Sequence, residues 1–194
     1  GLGKSPATGE IGFREPTDLV DRTPQEMTID GVRFVFQYAP ESEAPAELTF
    51  YLPDHKAWCG AEIVSQTLHN LYTLRGAQVR DARKWSGYID EAATSFNDME
   101  VVFGSHHWPV WGNERALEFL RTQSDPSRYI HDQTLRLANQ GYTPQEIAER
   151  VETTGVKKAQ MPLLPMAALG VLAGGFIGLG ALYFNLVVSD PSLG

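Results

Sequence analysis

The chain has 194 residues, 42% of them hydrophobic and 21% charged, which is typical of one globular domain with or without an appendage. Its formal net charge is -8. Residues 151–194 carry two acidic and two basic side chains, so the whole acidic excess lies in residues 1–150. Such an acidic body argues against a nucleic-acid partner, and the single cysteine, Cys59, excludes an internal disulfide.

Short strands are predicted in the first part of the chain. The segment MTIDGVRFVFQ predicts a β-hairpin, because Asp30 and Gly31 make a favoured two-residue turn between runs of β-forming residues. Three further strands are predicted in AELTFYLP, KAWCG and MEVVFG. Periodic apolar positions predict helix over residues 63–74 and again over residues 85–96.

Helices are predicted beyond the paired histidines His106 and His107. The first two are NERALEFLRTQ and DPSRYIHDQTLRLANQG, and the closing Gly141 suits the position after a helix end. A short final helix follows, because Thr143 offers an N-cap, Pro144 suits the first helical position and Glu146 completes a capping box.

The C-terminal segment contains no charged residue between Lys158 and Asp190. Residues 161–188 are long enough to cross a bilayer as a helix at about 1.5 Å per residue, so one membrane-spanning helix is predicted. A buried core helix is the alternative. Two lysines precede the span, which predicts that residues 1–158 are cytoplasmic. A soluble or periplasmic location follows if the segment is not inserted.

Three predicted strand ends carry side chains that bind metals. Glu43 follows the hairpin, Glu62 follows KAWCG, and His106 and His107 follow MEVVFGS. Because loops after strand ends are free to converge, these carboxylates and imidazoles can hold zinc or a comparable divalent ion. The residue pattern leaves other interpretations open, since adjacent histidines are often one buried and one exposed ring, and glutamates near turns are usually solvated.

The stretch HNLYTLRGAQVRD carries hydrogen-bond donors and fixed positive charges that suit a tetrahedral oxyanion such as sulfate or phosphate. These side chains are Asn70, Tyr72, Thr73, Arg75 and Arg80. A polar helix face with surface arginines is the alternative. The pattern also leaves His69 open as a metal ligand, a proton shuttle or an ordinary capped histidine.

Long motifs in residues 1–151 carry a resemblance to a known family. In chain order they are GLGKSPATGEIG, APESEAPAELTFYLP, HNLYTLRGAQVRDARKWSGYIDEA, FGSHHWPVWGNERALEFL and YIHDQTLRLANQGYTPQEIAE. With these motifs the chain resembles the alkyl sulfatases of the metallo-β-lactamase superfamily. In that family two zinc ions activate a water or hydroxide, which hydrolyses the sulfate ester of an alkyl alcohol. The resemblance implies a zinc hydrolase with an alkyl sulfate substrate.

The resemblance also assigns roles to particular residues. Glu43 is similar to a ligand of one zinc, Glu62 to the carboxylate shared by both zinc ions, and His107 to a ligand of the second. His106 is then expected to support or pack against the site. The implied sulfate-binding residues are Asn70, Leu71, Tyr72, Thr73, Leu74 and Arg75, together with Arg80.

One part of the family's pattern does not occur in these 194 residues. The family's other ligands come from an H-x-H-x-D-H segment, and no two of the five histidines here are separated by a single residue. Because three ligands are too few to hold two zinc ions tightly, we expect the chain to be incomplete and inactive alone. The expected fold is α/β, the C-terminal half of a metallo-β-lactamase αβ/βα sandwich over residues 1–112. The helical start of a dimerisation domain is expected over residues 113–152, with a homodimer as partner.

Residues 153–194 resemble a second family. GVKKAQMPLLPMAALGVLAGGFIGLGALYFNLVV is similar to the cytoplasmic approach and first transmembrane helix of the formate/nitrite transporters. One helix cannot enclose a pore, so transport is not expected. The sequence therefore predicts an alkyl sulfatase-like zinc hydrolase fused to a transmembrane helix. The alternative is a membrane-anchored non-catalytic protein or a transporter fragment.

Overall fold

In a computed structural model the chain is described at residue 12, over residues 15–72 and over residues 78–159. These residues form one mixed sheet of six strands with three α-helices. The strands lie in the order of the chain, and neighbouring strands are antiparallel except for the parallel pair β4 and β5. The elements are β1 Gln25–Ile29, β2 Val32–Tyr38, β3 Leu48–Leu52, β4 Ala57–Cys59, α1 Ala82–Ser95, β5 Val101–Phe103, β6 Val110–Trp111, α2 Asn113–Ala138 and α3 Pro144–Ala159.

The predicted hairpin is confirmed as β1 and β2. Asp30 and Gly31 adopt φ angles of +50° and +81°, which a two-residue hairpin turn requires and which glycine adopts at no steric cost. The predicted strands in AELTFYLP, KAWCG and MEVVFG are confirmed as β3, β4 and β5. The turn chemistry therefore fixes the register at the start of the sheet, with Ile29 opposite Val32.

Helix α1 connects the two parallel strands and covers one face of the sheet. It begins after Asp81, whose carboxylate accepts hydrogen bonds from the backbone N–H groups of Arg83 and Lys84 at 3.0 and 2.9 Å. Its buried face packs on side chains that the strands point toward it, such as Trp58 and Val102. This packing fixes the carboxyl end of β4 beside the start of the helix.

The helix predicted over residues 63–74 is wrong for its described part, residues 63–72, which form an irregular loop. Ile63 and Leu71 point into the core as the periodicity requires. The backbone oxygens of these two residues, however, accept hydrogen bonds from residues outside the predicted helix. That of Ile63 accepts a hydrogen bond from the Trp85 indole at 2.7 Å, and that of Leu71 accepts one from the backbone N–H of Arg80 at 3.0 Å. Tertiary contacts therefore replace the helical bonds here.

The two helices predicted beyond His107 are one continuous helix, α2, with Pro126 inside it. The buried face of α2 packs along α1, which holds both parts in line. Ser124 donates a hydrogen bond to the carboxylate of Asp90 at 2.6 Å, and Arg128 donates one to the side chain of Ser86 at 3.0 Å. Packing against α1 thus offsets the helix bond that the proline removes.

Helix α3 starts as predicted. The backbone N–H of Thr143 donates to the carboxylate of Glu146 at 2.9 Å, which completes the capping box. Over residues 15–72 and 78–159, no helix is long and apolar enough to cross a membrane. The predicted span over residues 161–188 lies outside the described residues and stays a prediction, as do the proposed domain boundaries.

Candidate metal centre and sulfate-binding stretch

Three strands direct their carboxyl ends to the same edge of the sheet. Strands β2 and β4 are both antiparallel to β3, and β5 is parallel to β4, so β2, β4 and β5 run in one direction. The loops that follow them carry Glu43, Glu62 and the two adjacent histidines. The topology therefore brings together the strand ends that the sequence singles out.

Glu43, Glu62 and His69 form a group that could hold a metal ion. One ligand atom from each residue lies within 4.8 Å of the others, and all three side chains are half-buried. The Nε2 atom of His69 is 3.9 Å from Oε2 of Glu62. The two glutamates are predicted metal ligands, whereas the residue pattern leaves the role of His69 open. His69 joins the two glutamates because of the path of the irregular loop that precedes α1. No spacing in the sequence predicts that path.

His69 is oriented with Nε2 toward Glu62. Its Nδ1 atom lies 3.0 Å from the backbone oxygen of Asn70. A proton on Nδ1 would donate to this carbonyl oxygen, whereas a bare Nδ1 would accept from Nη1 of Arg80, which lies 3.5 Å away. With the proton on Nδ1, the lone pair of Nε2 would face Glu62 and be free to bind a cation. The ring is held from the other side by Trp85, with the two ring centroids 5.4 Å apart.

The chemistry of this group fits a divalent cation. Carboxylate and imidazole are ligand types that zinc accepts. A third carboxylate, that of Glu47, lies close by, and burial together with repulsion from Glu43 and Glu62 raises its pKa to about 7. Bringing three carboxylates together in a partly buried place is unfavourable, and a bound cation would relieve their repulsion. No pattern in the sequence points to Glu47, which lies just before β3.

Arg80 lies between the loop that carries Glu43 and the stretch that begins at Asn70. Its side chain is 7% exposed. The Nε atom donates to the backbone oxygen of Glu43 at 2.7 Å, and Nη2 pairs with the Glu43 carboxylate. The Nη1 atom donates to the backbone oxygen of Asn70 at 2.8 Å and also to its side-chain oxygen. The Trp85 ring centroid lies 5.9 Å from the guanidinium carbon.

The double-histidine loop approaches Glu62 through His106. Gly104 permits this approach, because a β-carbon there would lie 2.8 Å from the backbone oxygen of Ala61. The backbone N–H of Ser105 donates to that same oxygen at 2.9 Å. The Nε2 atom of His106 then lies 3.3 Å from Oε1 of Glu62.

His107, the predicted ligand of a second zinc, does not belong to the group of three within the described part of the chain. It is exposed, with a φ of +68°, and its ring centroid is 6.4 Å from that of His106. In this structure His106 is therefore the member of the pair that contacts Glu62. The ligand role of His107 stays a prediction.

The predicted sulfate-binding stretch is described in part. Thr73, Leu74 and Arg75 lie outside the described residues. The side chain of Leu71 is buried in the core, so a contact from this residue to sulfate would come from its backbone. Tyr72 is half-buried, and Asn70 lies beside the metal-binding group through its bond to Arg80. The described part thus adjoins the candidate metal centre.

Comparison with known proteins gives relatives for most of the chain. It is 48% identical over 153 residues to a linear primary-alkylsulfatase from a Pseudomonas species, covering 78% of this chain and 23% of that protein. It is 47% identical over 150 residues to an alkyl/aryl-sulfatase of Saccharomyces cerevisiae, covering 77% of this chain and 23% of the yeast protein. No family model matches the chain.

An alkyl sulfatase is also among the solved structures that resemble this chain. A stereoselective inverting sec-alkylsulfatase from a Pseudomonas species matches with a TM-score of 0.74 and 31% identity, covering 92% of this chain and 28% of that one. A metallo-β-lactamase family protein from Thermus thermophilus matches with a TM-score of 0.50 and 16% identity, covering 90% of this chain and 51% of that one, and supports the fold alone.

The chain spans about a quarter of the length of the curated alkyl sulfatases that it matches. These matches do not support the transporter resemblance of residues 153–194. They support a mixed α/β fold that resembles the metallo-β-lactamases. Over about 78% of its length, the chain is therefore homologous to part of an alkyl sulfatase of the metallo-β-lactamase fold.

Proposed function

We propose that this chain carries part of the zinc centre and the sulfate-binding stretch of an alkyl sulfatase, a hydrolase that cleaves alkyl sulfate esters. The observation that carries the proposal is the convergence of Glu43, Glu62 and His69 within 4.8 Å, in a chain whose relatives are alkyl sulfatases. Donors of these types at one sheet edge are what a metal-dependent hydrolase of this fold needs.

Glu43, Glu62 and His69 would hold the ion, with His107 as a further predicted ligand. A bound zinc ion would supply Lewis acidity and lower the pKa of a water molecule toward neutrality. The residues of the chain would orient that ion. A hydrogen bond from Nδ1 of His69 to the backbone oxygen of Asn70 would select the tautomer in which Nε2 is free to bind it.

The sulfate group of the ester would lie against the stretch from Asn70 to Arg75. Asn70 adjoins the metal-binding group, so an ester held there would have its sulfur within reach of the centre. The side-chain amide of Asn70 would stabilise the negative charge that grows on the leaving oxygens, and so would the guanidinium of Arg75, which is predicted to bind the sulfate group. The remaining predicted contacts are Leu71, Tyr72, Thr73 and Leu74.

We expect turnover by these 194 residues only when the H-x-H-x-D-H segment, which they lack, is supplied to them. The test measures sulfate release from dodecyl sulfate by the zinc-loaded chain, alone and mixed with the N-terminal part of a full-length relative. The expected result is release in the mixture only. The matched control is the same mixture made with the Glu62→Gln chain, which is expected to release none.

Zinc content, measured by mass spectrometry of the metal, gives a second readout. We expect the chain alone to bind a divalent ion through the group of three, and not to hold two ions tightly. Tight binding of two zinc ions by the isolated chain would contradict our count of the ligands. Equal zinc binding by the wild-type and Glu62→Gln chains would contradict the proposed location of the centre.

A further inference from the structure

The face of the sheet that points away from α1 is built from apolar side chains. In paired strands, residues that lie opposite each other point to the same face. Phe36, Phe50, Cys59 and Phe103 lie opposite one another in one row across β2, β3, β4 and β5. The next residue along a strand points the other way, and Trp58, which precedes Cys59, belongs to the core beneath α1. The row therefore lies on the opposite side, which we call the outer face.

The outer face extends over all six strands. Alternation along the strands adds Met27, Phe34, Leu48, Leu52, Val101 and Trp111 to it. The ring centroid of Phe50 lies 5.3 Å from that of Phe34 and 6.1 Å from that of Phe103, so the aromatic side chains form one continuous surface. No residue of the described strands that points to this face is charged. The outer face therefore has the composition of a protein core.

No helix in the described part of the chain covers the outer face. Helix α1 packs on the other side of the sheet, and α2 joins the same core through residues such as Leu120. Helix α3 packs on α2 through Ile147. Ile29 and Trp111, which point to the outer face at its two edges, are 46% and 63% exposed. A contiguous apolar surface of this kind marks a site of interaction with a partner.

The chemistry of the outer face fits a second copy of itself. Because it carries no charged residue, two outer faces can meet without like-charge repulsion, although each chain has a net charge of -8. Charged side chains are exposed on the helices instead, as Arg115, Glu118 and Arg121 are on α2. Two sheets that pack face to face lie about 10 Å apart. The helices of both copies would then lie outside, with their charges in water.

The size of the outer face predicts weak binding. Six strands of about four residues each, about 4.8 Å apart and about 3.3 Å per residue, present roughly 400 Å². Two copies would cover roughly 800 Å², which is in the range of weak, transient interfaces. We therefore expect a dissociation constant on the order of 10–100 μM.

We propose that two copies of this chain pair face to face through the outer face, with Phe34, Phe50 and Phe103 in the contact. The contact is isologous, because the same surface is buried on both copies. It differs from the helical contact over residues 113–152 that the family resemblance implies. It needs neither a metal ion nor a sulfate ester, so it does not depend on the proposed function.

Sedimentation equilibrium of the 194-residue chain at about 5–500 μM tests this pairing, because that range includes the expected dissociation constant. Phe34→Glu places a charge within the outer face, and Leu135→Glu places the same charge on α2, where Leu135 is 39% exposed. We expect a concentration-dependent dimer for the wild type and for Leu135→Glu, and pairing at least about tenfold weaker for Phe34→Glu. Any contribution of residues 161–188 is common to all three chains, so the difference between them isolates the outer face.

Cys59 gives a second readout that is confined to the outer face. It is the single cysteine of the chain and is half-buried in the row from Phe36 to Phe103. Its alkylation by N-ethylmaleimide should slow as the wild-type concentration rises through the dissociation constant. In Phe34→Glu the alkylation rate should not depend on protein concentration.

Three outcomes would overturn the inference. One is a wild-type chain that stays monomeric over the whole concentration range. The others are an equal dissociation constant in Phe34→Glu and a loss of pairing in Leu135→Glu alone, which would assign the contact to the helices. If Phe34→Glu does not fold by circular dichroism, Trp111→Glu decides, because Trp111 is exposed on the outer face. Wild-type pairing in that variant also overturns the inference.

The proposed function has a separate readout, cobalt(II) titration of the chain followed by visible absorption. Cobalt(II) takes the place of zinc at the candidate centre. Glu62→Gln should bind cobalt more weakly than the wild type, and equal affinity would contradict the proposed function. Phe34→Glu should bind cobalt as the wild type does. Failure of one proposal therefore leaves the other intact.

Discussion

The region around Arg80 and the loop that carries the two histidines lie at the same edge of the sheet but are built differently. Arg80 is nearly buried, bonded to Glu43 and Asn70, and stacked near Trp85. The histidine loop is exposed from residue 105 to residue 109, and its contact with Glu62 is made by His106, whose side chain is 57% exposed.

This difference shows which parts of a metal centre the fold organises before any ion is bound. A buried side chain with several partners has one favourable position, so its geometry is set by folding. An exposed side chain with one ionic contact gains at most about 1 kcal/mol from it, and its position is easily changed by a ligand. The comparison predicts that the region of Arg80 depends on packing and the histidine loop on metal binding.

The largest expected effect concerns the packing beneath the Arg80 region. Trp85 is 2% exposed, and its indole bonds to the backbone oxygen of Ile63. Trp85→Ala should lower the free energy of unfolding by about 3–5 kcal/mol, as such truncations typically do. Trp85→Phe keeps most of the ring but leaves that oxygen unpaired, which should cost about 1–3 kcal/mol. Urea denaturation of the metal-free chain measures both. An unchanged stability of Trp85→Phe would indicate that the hydrogen bond contributes nothing, and equal losses in both variants would indicate that the ring packing contributes nothing beyond it.

The next effect concerns two glutamates on one loop. Glu43→Gln should weaken cobalt binding by more than the ~10–100-fold expected for an outer partner, because it removes a direct ligand. Glu41→Gln is a matched control, since Glu41 lies two residues away and pairs with Lys84 on the exposed surface. That variant should bind cobalt as the wild type does. A similar loss in both would mean that cobalt responds to the overall charge of the loop.

A smaller effect distinguishes the two histidines. His106→Ala should change cobalt affinity by less than about threefold, because an exposed ion pair contributes little. His107→Ala should weaken binding of a second ion by more than about tenfold in the mixture with the N-terminal part of a relative, because it removes a predicted direct ligand and even the loss of an outer partner costs about that much. The same titrations measure both variants. The reverse ranking would assign the second ligand to His106.

The smallest effect lies away from the site and calibrates the stability measurements. Thr143→Ala removes the N-cap of α3 and should lower the free energy of unfolding by about 1 kcal/mol.

Hydrogen bonds from the backbone and side chain of Thr143 lower the pKa of Glu146. A lowered pKa stabilises the fold above the ordinary pKa of the carboxyl group, and this contribution is lost as the pH falls through the lowered value. Glu146→Gln should remove this acid dependence, and unfolding curves between pH 3 and about pH 6 would reveal it. An unchanged pH profile would remove Glu146 from this role.

Local chemistry made much of the fold predictable. The turn at Asp30 and Gly31 and the capping box of Thr143 and Glu146 involve residues close in sequence, and both are confirmed. Apolar periodicity found the buried side chains Ile63 and Leu71 but not the backbone path between them. That path depends on distant donors, such as the indole of Trp85, which no local pattern encodes.

The same limit applies to the candidate site. The positions of Glu43 and Glu62 at strand ends allowed their convergence to be expected, because strand direction follows from the order of elements. The positions of His69 and Arg80 depend on the irregular loop, so the sequence could offer only several roles for the histidine. The pairing of Arg80 with Glu43 joins residues 37 positions apart and became visible only in three dimensions.

The most direct test of the central claim is diffraction from zinc-soaked crystals of this chain, recorded on both sides of the zinc absorption edge. Our account predicts an anomalous difference peak between the side chains of Glu43, Glu62 and His69. An absence of density there, with zinc bound only at the exposed histidines, would contradict it.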